Sequence, residues 1–136
     1  MDFSISISER LALELLNKKF NKMLKSVSFR EGIIGIEIYI MLSAVKVELR
    51  ILKLDPKEGI TIEFVGSGVK SFMTKKVISG FYEKLHLEKT DKDNVYRYSW
   101  KNSLDLLKDY KELLTSSSRI ETYYENGIFR LDFFLS

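Results

Sequence analysis

From Gly32 to Val65 apolar side chains recur at every second residue. Ile34, Ile36, Ile38, Ile40 and Leu42 alternate with Glu37, Tyr39 and Met41, then Val45, Val47, Leu49 and Ile51 alternate with Lys46, Glu48 and Arg50. Successive side chains leave opposite faces of a pleated sheet, so this period confines the region to an antiparallel meander of three strands with one apolar face. A hairpin loop at Ser43 and Ala44 would put Leu42 and Val45 on the same face and pair Ile40 with Val47 and Ile38 with Leu49. Past Ile51 the apolar phase slips to Leu52 and Leu54, as a β-bulge near Ile51 and Leu52 would produce. Asp55-Pro56-Lys57-Glu58-Gly59 carries Pro at the second position of a turn and Gly at its exit. That chemistry closes the next hairpin onto Ile60, Ile62 and Phe64.

Helical spacing surrounds this meander. Ser6 and Glu9 have capping-box spacing, which places a helix start near Ser8. Leu11, Ala12, Leu15, Leu16, Phe20, Met23, Leu24 and Val27 then recur at three- and four-residue intervals, while Glu14, Lys18, Lys22 and Lys25 take the other face. Gly66-Ser67-Gly68 leads into a second helix with Val69, Phe72, Met73, Val77, Phe81 and Leu85 on its apolar stripe. After a charged loop from Glu88 to Asn94, Val95 to Trp100 reads as a strand with Tyr96, Tyr98 and Trp100 on one face. Asn102 caps a third helix whose apolar side includes Leu104, Leu107, Tyr110, Leu113 and Leu114. Ser116-Ser117-Ser118 is the most linker-like stretch, though too short to separate domains. Asn126-Gly127 favours a type I′ turn, pairing Glu125 with Ile128, Tyr124 with Phe129 and Ile120 with Phe133. The same register sets Glu121 opposite Asp132, a repulsion that Arg119 and Arg130 can offset. Gly32 to Ile40 aligns without gaps with Gly127 to Leu135, so a helix followed by a hairpin is a candidate internal repeat.

At 136 residues the chain fits a single α+β domain, 1–136. The expected fold is a curved antiparallel sheet, the three-stranded meander plus the C-terminal hairpin, packed by about three amphipathic helices. The chain has no cysteine, which excludes disulfides, thiolate metal sites and cysteine nucleophiles. Its net charge of +3 is too small to mark a dedicated nucleic-acid domain, though it leaves an anionic partner open. No signal peptide is read at the N-terminus and no apolar run approaches a membrane span. The expectation is therefore a cytoplasmic protein without a transmembrane segment, a secreted mature chain being the alternative.

Four places have the residue types for function. Ile36, Ile38, Val47, Leu49, Phe64, Phe72 and Phe81 would line a hydrophobic groove or fill the core. Gly66, Ser67, Gly68 and Lys70 stand between a strand and a helix, where free N–H groups and the helix dipole attract anions. The spacing matches neither a P-loop nor a full Gly-x-Gly-x-x-Gly, and a plain connection is the simpler reading. Lys70, Lys75, Lys76 and Lys84 give the second helix a basic surface. Tyr96, Tyr98, Trp100, Tyr123 and Tyr124, with Arg97, Arg119 and Arg130 nearby, have the composition of a stacking platform for single-stranded nucleic acid, and equally of a sheet face under helices. His86 is the only histidine and has no ligand spacing around it, no serine-nucleophile motif is present, and the carboxylates show no acid and base pairing. No catalytic residue, metal site or cofactor is expected.

The opening, Ser-Ile-Ser-Glu heading a helix with Leu-Leu-Asn-Lys-Lys-Phe and Val27-Ser28-Phe29-Arg30-Glu31-Gly32 turning into long strands, resembles the start of tubular lipid-binding (TULIP-like) domains. The closing Ile-Glu-x-x-Tyr-Glu-Asn-Gly-Ile is similar to the end of small bacterial members of that group. The chain departs from them in its charged loop, its third helix and the absence of a secretion signal. The resemblance implies a curved sheet wrapped around a long helix with an apolar molecule between them, and carries over no functional residue. The leading expectation is a non-enzymatic module holding a lipid-like small molecule. The alternatives are an adaptor for nucleic acid or protein using the basic helix, with a homodimer a further candidate assembly, and an enzyme acting on a phosphorylated small molecule at Gly66 to Ser71.

Overall fold

The computed structural model describes residues 2–40, 42–66, 72–102 and 111–136. In chain order the elements are β1 (Phe3–Ser8), α1 (Glu9–Lys19), β2 (Leu24–Arg30), β3 (Ile33–Ile40), β4 (Ser43–Asp55), β5 (Gly59–Val65) and α2 (Phe72–Lys84). Then come β6 (Glu88–Lys89), β7 (Val95–Ser99), a 3-10 turn (Trp100–Asn102), α3 (Lys111–Ser116), β8 (Ser117–Glu125) and β9 (Ile128–Leu135). The fold is α+β with antiparallel pairing throughout. A six-stranded sheet has the order β2-β3-β4-β5-β7-β6, and a three-stranded sheet has the order β1-β9-β8. The C-terminal hairpin therefore joins the opening strand rather than the meander.

The meander is present with a register four residues away from the expected one, its turn two residues earlier. Ile36 pairs with Val47, Ile38 with Val45 and Ile40 with Ser43, so β3 turns into β4 between Ile40 and Ser43. An even shift keeps every side chain on its face, which is why alternation alone could not distinguish the two registers. Leu42 projects from the turn, fully exposed. The bulge lies where the phase slip put it: pairing jumps from Ile51 to Lys53 opposite Ile62 and Thr61, leaving Leu52 as the extra residue. At the next turn Asp55 accepts hydrogen bonds from Lys57 N–H (2.8 Å) and Glu58 N–H (3.0 Å), which closes the turn before Gly59.

The largest correction concerns α1, which ends at Lys19 rather than running on through Val27. It starts where expected, but the cap is Ser8, accepting from Leu11 N–H at 3.1 Å, while Ser6 of the expected capping box lies in β1. Asn21 and Lys22 then take positive φ, 52° and 61°, which a continuing helix does not allow. Asn17 completes the reversal: its side chain accepts from Leu24 N–H (2.9 Å) and donates to Leu24 carbonyl (3.2 Å), standing in for a strand neighbour. Leu24 to Arg30 thus becomes an edge strand, with Val27 and Phe29 buried opposite Ile36 and Ile34. A second correction concerns Ser116 to Ser118. Ser117 is 2% exposed and donates to Leu113 carbonyl, so the stretch is a direct junction between α3 and β8 anchored at Ser117, with Ser116 and Ser118 exposed on either side.

The aligned glycines, Gly32 and Gly127, occupy equivalent positions. Each is the second residue of a two-residue turn with both φ values positive, 49° and 78° at Glu31-Gly32 and 53° and 81° at Asn126-Gly127. The two turns meet. Gly127 N–H donates to Phe29 carbonyl (3.0 Å) and Gly32 N–H donates to Tyr124 carbonyl (3.2 Å), each reaching the residue three before the other's glycine. This reciprocal pair is the geometry of a local two-fold axis, and it joins the two sheets.

The core has a main part and two satellites. Phe20 of the α1 exit, Val77, Ile78 and Phe81 of α2, and Ile36, Ile38, Val47, Leu49, Phe64 and Tyr98 of the sheet form the main cluster. Val27, Phe29 and Tyr124 fill the joint between the sheets, and Leu114, Ile120 and Phe133 fill the space under α3.

Candidate functional site

The inner face of the six-stranded sheet is a grid of cross-strand pairs. Phe29 lies beside Ile34, Ile34 beside Leu49 and Leu49 beside Phe64; Ile51 lies beside Ile62 and Ile62 beside Tyr96. Two helices rest on this grid, and each leaves a cleft.

The first cleft lies under α1 and has a volume of about 270 Å³. Ala12, Leu15 and Leu16 form its roof and Ile36, Leu49, Ile51 and Ile62 are among its floor residues. Leu85 and Leu87 close one side, and Ile7 and Phe129 of the second sheet approach from another. All of its lining residues are aliphatic or aromatic. A cavity of ~150 Å³ with such walls stays dry and admits a benzene ring, so this one has room for a larger apolar group. The roof is loose: α1 has no buried residue, although Leu13 and Leu16 pack partway against the core.

The second cleft, of about 350 Å³, lies where α2 crosses the end of β3. Phe20, Ile38, Val77 and Phe81 form its base, Met23, Tyr39 and Ile40 its outer wall, and Lys76, Gly80 and Lys84 its rim. The rings of Phe20 and Phe81, 5.0 Å apart and edge to face, stand at its base.

The seven expected groove residues are dispersed. Ile36 and Leu49 line the first cleft, Ile38 and Phe81 the second, and Val47 and Phe64 are buried core lining neither. Phe72 is a correction: it is 78% exposed at the start of α2, while Ile78, absent from the expected stripe, is buried. Helical spacing starting from Phe72 placed the stripe one position out of phase at this end. Of the candidate anion loop only Gly66 is among the described residues; Ser67, Gly68 and Lys70 lie outside them. A Cβ at Gly66 would sit 3.3 Å from Glu48 Oε1, so a carboxylate borders this position. Lys75, Lys76 and Lys84 are exposed on α2.

The aromatic platform is divided. Tyr98 belongs to the main core with Tyr96 packed against it, Trp100 donates to Asp55 carbonyl at 2.7 Å, and Tyr124 is buried in the joint. Tyr123 is half exposed beneath Arg130, and its hydrogen bond to Glu121, with that group's charge, raises its phenol above the ordinary range. The expected charge balance on this hairpin is present: Glu121 opposes Asp132, Arg119 lies 3.4 Å from Glu121 and Arg130 lies 3.2 Å from Asp132. Arg97 is held by Glu88 at 2.9 Å and lies 3.5 Å from Glu58, and the Glu88 hydrogen bond raises its pKa further. Among the described residues no three His, Asp or Glu side chains come together as a metal-binding group, and no helix is long and apolar enough to cross a membrane.

The first cleft was missed as a unit because its roof, Ala12 and Leu15, and its floor belong to segments read separately. The signal was available: Ala12 is the one small residue on an otherwise leucine-rich stripe, and a short side chain leaves room beneath a helix. Comparison with protein-family models, with curated proteins and with solved structures finds no match for this chain.

Proposed function

We propose that the chain is a non-enzymatic binding module that holds an apolar ligand between α1 and the six-stranded sheet. The observation that carries this reading is the cleft of about 270 Å³ walled only by aliphatic and aromatic residues. Its setting adds support, since α1 lies over the sheet without burying one of its own residues. Leucines held at half burial gain only part of the transfer free energy available to them, and an apolar guest supplies the rest. The adaptor reading has less support: Lys76 and Lys84 stand on the rim of an apolar cleft rather than on a flat charged face. The phosphate-enzyme reading meets the Glu48 carboxylate beside Gly66, which repels an anion.

Native mass spectrometry of the purified protein, followed by titration with a neutral apolar fluorophore such as N-phenyl-1-naphthylamine, tests the proposal. A co-purifying lipid-sized molecule, or saturable binding that Ala12→Phe weakens without unfolding the chain, is the expected result. A protein that carries nothing and takes up no probe would overturn it.

A further inference from the structure

The second cleft differs from the first in having charge at its mouth, and Gly80 shows how that mouth is kept open. Gly80 lies in the interior of α2, four residues from Lys76 on one side and four from Lys84 on the other. Glycine in a helix interior is destabilising relative to alanine. Nothing at Gly80 requires it sterically: a Cβ there would meet no atom within 4 Å, and its φ is not positive. The missing side chain leaves bare backbone between two lysines directly above an apolar base. No acidic residue lines the cleft, and among the described residues neither Lys76 nor Lys84 has an ion-pair partner.

We infer that this cleft is a second ligand site, for a monomeric anionic amphiphile. The apolar chain lies against Phe20, Ile38, Val77 and Phe81, and a carboxylate or phosphate head crosses Gly80 to sit between the ammonium groups of Lys76 and Lys84. The division follows from solvation. A charge taken into the apolar base would lose its water without compensation, whereas at the rim it stays hydrated and meets two cations on flexible stems. The inference stands on Gly80 and the lysine pair, and does not require the cleft under α1 to be filled.

The test is methyl NMR of the full chain titrated with decanoate and, separately, with decanol, each below its aggregation or solubility limit. Decanoate is expected to shift the methyls of Ile38, Ile40 and Val77 saturably and to bind about tenfold more tightly than decanol there. The double substitution Lys76→Gln and Lys84→Gln is expected to remove that advantage. Gly80→Leu fills the gap and is expected to abolish these shifts, whereas Gly80→Ala retains the fold and weakens binding less. Equal affinity for the two compounds, or indifference to the lysine pair, overturns the inference. So does a decanoate response confined to Leu15, Ile51 and Ile62, which leaves the cleft under α1 as the ligand site. Decanol that ignores those three methyls while decanoate binds at Val77 overturns the first proposal alone. Binding only to vesicles of anionic phospholipid, with silent monomers, overturns the monomer site in favour of a membrane surface.

Discussion

Tyr124 places a ring and a hydroxyl where the two sheets meet. Its ring packs with Val27 and Phe29, and its hydroxyl accepts from Ile51 N–H at 3.0 Å, beside the bulge in β4. Tyr124→Phe keeps the ring and leaves that N–H unpaired, so urea unfolding should show a loss of about 1–3 kcal/mol with the m value unchanged. Glu31 is the opposite case, a residue with a cost of its own. It sits at φ 49° in a type I′ turn where Asn126 occupies the equivalent position at 53°. Asparagine tolerates that conformation better, so Glu31→Asn should stabilise the chain by roughly 0.5–1 kcal/mol in the same assay. Gly80→Ala should stabilise by a similar ~0.5–1 kcal/mol, and a loss would mean the helix there is not as open as described. Gly59 has no such freedom: at φ 151° it pairs with Ser99, and a Cβ would collide with the Tyr98 carbonyl oxygen.

Among the elements, the turn between β4 and β5 couples folding to pH. The N–H groups of Lys57 and then Glu58 hold the Asp55 carboxyl below the usual carboxylate range. A depressed value in the folded chain means that this stabilisation is fully present above the ordinary aspartate pKa of about 4 and is lost as pH falls from there through the folded value. The stability gap between the parent chain and Asp55→Asn should therefore be widest near neutrality and narrow on acidification below about pH 4; a constant gap would rule out this origin. The Asp55-Pro56 turn, the bulge and the Asn126-Gly127 hairpin were legible because each rests on local chemistry in a few adjacent residues. The end of α1 was not, because Met23, Leu24 and Val27 satisfy helical spacing while Val27 and Phe29 also alternate with Ser26 and Ser28. Two periods competed over the same residues, and the side chain of Asn17 and the positive φ of Asn21 settle the matter through contacts no spacing records. The clefts were legible as a list of apolar residues and not as places, since a four-residue register shift and a helix phase decide which of them line a void.

At the scale of the whole molecule, the two sheets share one joint, and this predicts one transition. Phe133 is 1% exposed in the smaller sheet with Ile120 and Leu114, and β9, its strand, pairs with both β1 and β8. Phe133→Ala should cost about 3–5 kcal/mol, and hydrogen exchange should show protection lost in both sheets together. Protection lost in β1, β8 and β9 alone would mean the small sheet unfolds as a unit of its own. The bulge at Leu52 adds a mechanical consequence. It is where β4 carries slack, and its neighbour Ile51 is at once part of the floor beneath α1 and the backbone partner of Tyr124. A guest wide enough to push on Ile51 would therefore load the Tyr124 latch as well as the Phe129 ring, so filling the pocket would strain the β8–β9 hairpin at two points at once.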